Sequence, residues 1–108
     1  MEFVELPEFF RDLKRLQKKY RSLDDDVSRL KKVLEKFPQG TGGKHWNCLH
    51  EREGVEIYKV RLACTYLREN TMRVIYAYNP PNTIDFIELY YKGEKERHDE
   101  GRLKDYLS

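Results

Sequence analysis

The chain has 108 residues, 37% of them charged, 39% hydrophobic and 13% aromatic, with a formal net charge of +2. That share of Tyr and Phe excludes disorder, and the length suits one domain over residues 1–108, burying roughly two thirds of its unfolded surface without disulfide staples. Nearly balanced charge does not by itself announce a nucleic-acid binder, and no apolar run approaches the ~20 residues that span a bilayer, so a soluble protein with no membrane partner is expected.

Residues 2–5, EFVE, alternate polar and apolar, and Pro7 keeps the residue before it out of the helical region, which predicts a short first strand. Pro7 then suits a first helical turn and Glu8 its positive end. Leu6, Phe9, Phe10, Leu13, Leu16 and Tyr20 recur at three- and four-residue spacing, so an amphipathic helix is expected to end near Tyr20. Ser22 followed by Asp25 has the spacing of a capping box with Asp in place of Glu. Leu23, Val27, Leu30, Val33, Leu34 and Phe37 carry a second helix to the stop at Pro38 and Gly40. Residues 11–36 hold ten Lys or Arg against five acids. The outer face of the hairpin, with Lys14, Arg15, Lys18, Lys19, Lys31, Lys32 and Lys36, is therefore basic: a solvated surface or an RNA contact.

Residues 39–54 are punctuated by glycine and read as a loop with a short strand around Trp46 to Leu49. His45, Cys48 and His50 are three metal-ligand types, but their spacing is not that of a known zinc module, and a fourth ligand would have to come from His98 or Cys64. A surface loop anchored by Trp46 is the better reading, with no metal. Cys48 and Cys64 fall short of a disulfide framework, and the first residues lack the pattern of a secretory leader, so a reducing cytoplasm is the expected compartment.

Three strand-like runs follow: IYKVRLAC (57–64), MRVIYAY (72–78) and TIDFIELYY (83–91). In the first, alternation places Tyr58, Val60, Leu62 and Cys64 on one face and Ile57, Lys59, Arg61 and Ala63 on the other. TYLREN reads as a hairpin connection and NPPN as the next turn, and the near-continuous apolar character of the third run predicts a strand buried on both faces. KGEKER (92–97) leaves the sheet. Residues 98–108 form a weak terminal helix, with Leu103, Tyr106 and Leu107 at helical spacing and Gly101 costing it about 1 kcal/mol relative to Ala. The order predicts an α+β domain: an N-terminal helical hairpin packed on a three- to four-stranded antiparallel sheet, with a short C-terminal helix. Folding is expected to gather Lys59, Arg61, Arg73, Lys95 and Arg97.

A first strand and helical hairpin, then YKVR, then RVIY, then a strand running into KGEKER, resemble the RelE/ParE superfamily of toxins from toxin–antitoxin systems, over essentially the whole chain. The resemblance implies a RelE-like toxin domain that cuts mRNA on the ribosome without a metal or other cofactor, and a cognate antitoxin protein that covers its basic cleft. It matches Lys59 and Arg61 to two basic catalytic positions on the first strand of the site, the second usually Lys. Arg73 falls on a phosphate-contacting arginine, Lys95 on a further basic position, usually Arg, and Arg97 on a nearby basic residue. Lys92 and Tyr91 join Arg97 as expected RNA contacts. The base-stacking tyrosine falls on Gly101, which leaves Tyr90, Tyr91 or Tyr106 to take that role. The loop before YKVR and the connection TYLREN are longer than in the most compact members.

Cutting RNA without a metal uses the neighbouring 2′-hydroxyl as nucleophile, so a protein must remove its proton, spread the charge of the phosphorane and protonate the leaving 5′-oxygen. Arginine stays protonated, which makes Arg61, Arg73 and Arg97 phosphate clamps. Lys59 can serve as base if neighbouring cations lower its pKa, and His98 or Lys95 is the expected acid. Two other outcomes fit the same sequence. One is a ParE-like inhibitor of DNA gyrase. The other is a degenerate toxin that only binds a partner, its cations paired by Glu88, Glu94, Glu96, Asp99 and Glu100.

Overall fold

The computed structural model describes residues 1–108 as a mixed α+β fold of three helices and one five-stranded sheet. Strand β1, Glu2–Glu5, leads through Leu6, extended at φ −63° and ψ 154°, into helix α1, Pro7–Gln17. Proline in the first turn sets that boundary. Helix α1 stops three residues short of Tyr20, which nevertheless stays buried with its ring 5.2 Å from that of Tyr91.

Helix α2, Leu23–Lys36, buries Leu23, Val27, Leu30 and Leu34. Phe10, Val33 and Phe37, placed in the apolar stripes by spacing, are instead exposed, because only one side of each helix meets the sheet. Nor does Ser22 cap α2 through a capping box. Its hydroxyl donates to Asp26 Oδ2 (2.7 Å) and accepts from the Tyr66 amide (2.8 Å), while the Gln17 side chain satisfies the Asp24 amide (2.8 Å). Tertiary partners thus replace the local cap. Asp26, almost fully buried, also accepts from the Thr65 amide and hydroxyl and pairs with Arg29, which fastens α2 to the turn that follows β3.

The remaining strands are β2 (Trp46–Arg52), β3 (Val55–Cys64), β4 (Glu69–Asn79) and β5 (Thr83–Tyr91), and the spatial order is β1-β5-β4-β3-β2. Two features differ from the expected sheet. Strand β1 pairs parallel to β5, so the sheet is mixed. The stretch expected to hold only a short strand around Trp46 to Leu49 contains a seven-residue strand joined to β3 by Glu53 and Gly54, both at positive φ (54° and 80°), a pairing suited to a tight hairpin turn. As an edge strand β2 carries mostly polar residues, which hides it from an apolar-run search.

Helices α1 and α2 cover one face of the sheet over a core of 19 buried residues. Helix α3, Glu100–Leu107, lies on the other face over a core of only five: Ile57, Ile75, Ala77, Ile87 and Leu103. That smaller core leaves the rest of the second face open for a site. Strand β5 is buried on both faces as its composition predicts, helped by a bulge. Glu88 pairs with Ile75 but Phe86 pairs with Tyr76, so Ile87 and Glu88 both turn to the α3 side.

Helix α3 is better anchored than its sequence implies. The Asp99 carboxylate caps it, accepting from the amides of Gly101 (2.9 Å) and Arg102 (3.2 Å). The Arg102 guanidinium grips the Asp12 carboxylate with two bonds (2.7 and 3.0 Å), and Asp12 also accepts from the Leu89 amide. Burial of Leu103 and a 2.6 Å bond from the Tyr106 hydroxyl to Asp85 complete the attachment.

Candidate functional site

Register alone brings the central cations together. On the α3 side of the sheet Arg61 of β3 stands opposite Arg73 of β4, and Arg73 stands opposite Tyr90 of β5. One step along, Asn47 of β2 faces Lys59, which faces Ile75, which faces Glu88. Like charges directly opposite on a sheet destabilise it, so the Arg61–Arg73 pair is a local cost that folding alone does not explain.

These side chains line an open cavity of about 360 Å³. Lys59, Arg61 and Arg73 form its floor with Tyr90; Lys92 and Glu96 come from the connection after β5; Lys44, His45, Trp46 and Asn47 close the β2 side. Five cations therefore face one carboxylate. None of Lys59, Arg61, Arg73 and Lys92 makes an ion pair within the protein. Arg73, buried, is held by carbonyls alone: its Nη1 donates to Asn70 O (2.7 Å) and Met72 O (3.0 Å).

The electrostatics follow from that crowding. Burial, then the Lys92 ammonium and the Arg73 guanidinium, hold the Lys59 amine below its usual range, with Glu100 and Glu88 pulling weakly the other way. Burial and next Arg61 lower the Arg73 guanidinium, opposed by Tyr90. The Tyr90 phenol is pushed up, first by burial and then by Glu88.

Four of the expected site residues, Lys59, Arg61, Arg73 and Lys92, thus share one cleft, and four do not. Lys95 sits beside it, 5.8 Å over the Tyr90 ring, but its Nζ is engaged by the buried Glu88 carboxylate at 2.6 Å. Glu88 also accepts from the Asp99 amide (2.7 Å), so it holds the connection that forms this wall. Arg97 is exposed outside the cleft. His98 is largely buried, its Nε2 2.7 Å from Glu100 Oε1, and it does not reach the cavity.

Tyr91 needs the clearest correction: strand alternation sends it to the helix side, where it packs on Tyr20. Gly101, on which the stacking tyrosine is expected to fall, lies in the first turn of α3, and of the candidates to replace it Tyr106 is tied to Asp85 with its phenol pushed up to about 12, chiefly by burial. Tyr90 alone of them lines the cleft, with 3% of its surface exposed. His45, Cys48 and His50 do not converge as a ligand set. Cys48 faces Tyr58 on the helix side, whereas His50 stands opposite Ile57 on the other.

Sequence reasoning missed Lys44 and Asn47, named His45 only as a possible metal ligand, and offered Tyr90 only as one of three candidates for base stacking. The signal for the first three is the Glu53-Gly54 turn, which sets the register of β2 on β3 and so lays Asn47 beside Lys59. Chemically, the arrangement offers fixed positive charge, an amine with a lowered pKa, an imidazole and a phenol around a space open to an anionic ligand. No protein-family model matches the chain, and neither a curated protein nor a solved structure matches it.

Proposed function

We propose that the chain is a ribosome-dependent endoribonuclease toxin of the RelE-like kind, acting on mRNA and restrained by a cognate antitoxin. One observation carries the reading: Lys59, Arg61, Arg73 and Lys92 converge without carboxylate partners in one open cleft. A buried guanidinium, Arg73, facing the exposed Arg61 without a carboxylate is costly, and a bound phosphodiester supplies the missing negative charge.

In this reading Arg61 and Arg73 hold the scissile phosphate and spread the charge of the phosphorane. Lys59, with its pKa lowered by burial and by Lys92, takes the 2′-hydroxyl proton. Glu96, the one carboxylate among the cleft's cations, gives a divalent ion no donor set, which favours the 2′-hydroxyl route. Exposed Lys14, Lys18, Lys19, Lys32 and Lys36 on the helical hairpin present positive charge suited to ribosomal RNA.

The test uses ribosomes programmed with a defined message. The wild type should leave breaks within codons, and Arg73→Ala should slow them by on the order of 10² to 10³ if Arg73 acts like an oxyanion donor. Intact message at saturating protein sinks the reading. A second reading, a partner-binding homologue that does not cleave, is favoured by Gly101 at the stacking position and by the near-complete burial of Tyr90. Normal growth with intact message in a host lacking the antitoxin would support that reading, whereas growth arrest with intact message and blocked supercoiling would point to gyrase inhibition.

A further inference from the structure

The ribonuclease reading leaves one chemical role unfilled, that of the proton donor to the departing 5′-oxygen. Of the two residues expected to supply it, Lys95 is engaged by Glu88 and His98 does not reach the cleft.

The sheet register supplies another group. Strand β2 begins with Trp46 opposite Val60 and Asn47 opposite Lys59, and His45, immediately before it, ends the 3-10 turn on the β2 side of the cleft. Arg61 faces Arg73, and Arg73 faces Tyr90. Guanidinium, guanidinium and phenol therefore stand in one lateral row across the sheet, about 4.8 Å apart strand to strand, and the His45 imidazole joins them from the β2 side. All four line the same cavity.

His45 is held in place by its neighbours rather than by its own ring. It closes the short 3-10 turn Gly43–His45, and the next residue, Trp46, is locked on the opposite face. The Trp46 indole donates to the Tyr76 hydroxyl (3.1 Å), which donates to Pro38 O (2.9 Å). Gly40, at φ +81°, lies so close under the indole that a Cβ there would stand 2.3 Å from it. The His45 side chain itself makes no hydrogen bond or ion pair in the protein and is half-buried at the cleft wall. Imidazole is the side chain that gives and takes a proton near neutral pH, whereas the guanidinium groups beside it cannot.

We propose that His45 is the general acid of the cleavage, an inference that rests on the ribonuclease reading above. The 2′-oxygen loses its proton to the Lys59 amine and bonds to phosphorus. The bond from phosphorus to the 5′-oxygen breaks, and that oxygen takes the proton of the His45 imidazolium. The products are a 2′,3′-cyclic phosphate and a 5′-hydroxyl, and both side chains reset by proton exchange with water. Arg61 and Arg73, which line the same cavity as base and acid, hold the phosphate throughout.

The experiment compares two messages on programmed ribosomes, one with an ordinary scissile linkage and one with sulfur replacing the bridging 5′-oxygen. A thiolate departs without a proton, so only the first needs an acid. His45→Ala and His45→Gln should each slow the ordinary message by about 10² to 10³, within the range of general-acid effects, and leave the sulfur-bridged message at the wild-type rate. Equal loss on both messages, or no loss on the ordinary one, overturns the assignment while the ribonuclease reading stands. A loss confined to the ordinary message in Lys92→Ala instead moves the role to Lys92. If the wild type cuts neither message, the ribonuclease reading itself falls.

Discussion

Lys59 and Arg73 show how position on one sheet face changes what a cation can do. Both are surrounded by positive charge, but an arginine remains protonated, whereas a lysine lowered by burial and by Lys92 can lose its proton and act as a base. The sign of the effect gives a prediction. Lys92→Ala removes one of the charges that depress the Lys59 pKa, so that pKa rises, the neutral amine becomes scarcer near pH 7, and the ascending limb of the rate-against-pH profile moves to higher pH. Lys59→Arg keeps the charge but not the base and should lose as much cleavage as Lys59→Ala. The Arg61–Arg73 pair yields a second prediction. Arg61→Gln relieves a like-charge cross-strand contact and should stabilise the fold by about 0.2–1 kcal/mol in denaturant melts while weakening RNA binding. A loss of stability would show that Arg61 contributes more through packing than it costs through charge.

Among the elements, α3 departs furthest from its sequence-based expectation. Its propensity is poor, with Gly101 in the first turn, yet the Asp99 cap and the Arg102–Asp12 clamp tie it to α1 and β5. Both partners of that clamp are mostly buried, with 17% and 11% of their side chains exposed. Arg102→Ala therefore strands the Asp12 carboxylate and should cost about 3–5 kcal/mol, read as a shift in the urea midpoint. Arg102→Lys should recover only part of it, because one ammonium cannot reproduce the two-pronged contact. If Arg102→Ala unfolds at the wild-type midpoint, the clamp contributes nothing and α3 is held by Leu103 and Tyr106 alone. The element scale also bears on the cleft, since the same Glu88 that receives the Asp99 amide receives Lys95. A single buried carboxylate thus fastens both the start of α3 and the wall carrying Lys92.

At the scale of the whole molecule, the sheet separates structure from candidate chemistry. One face carries the helical hairpin and the larger core; the other divides between a small apolar core under α3 and the cationic cleft. No helix is long and apolar enough to cross a membrane. With Lys59, Arg61, Arg73 and Lys92 each on a phosphate, binding of a short single-stranded RNA should fall with a log–log salt slope of roughly −3, about 0.7 per phosphate contact. Arg73→Ala should flatten that slope by about 0.7 in a fluorescence titration, and a slope near zero would show that the cleft does not bind the strand through its charges.

How much of this was legible beforehand divides along a physical line. Local signals determined both long helices, the turn at Pro80 and Pro81, and the faces of β3, because helix and strand periods, proline and glycine act through neighbours a few residues away. Lys59 and Arg61 on one face followed from alternation alone. The two predicted turns already set β3, β4 and β5 side by side, but the sequence could not show their register or where β1 and β2 join the sheet. Pairing of β1 with β5, and of β2 with β3, depends on hydrogen bonds between residues far apart or hidden in a polar edge strand. That pairing decided which residues share the cleft. It set Arg73 between Arg61 and Tyr90 and brought His45 to the β2 side of the cleft, while alternation along β5 turned Tyr91 away. Lys95 was taken up by Glu88, a carboxylate that only the folded chain brings within reach, and His98 was buried away from the cleft.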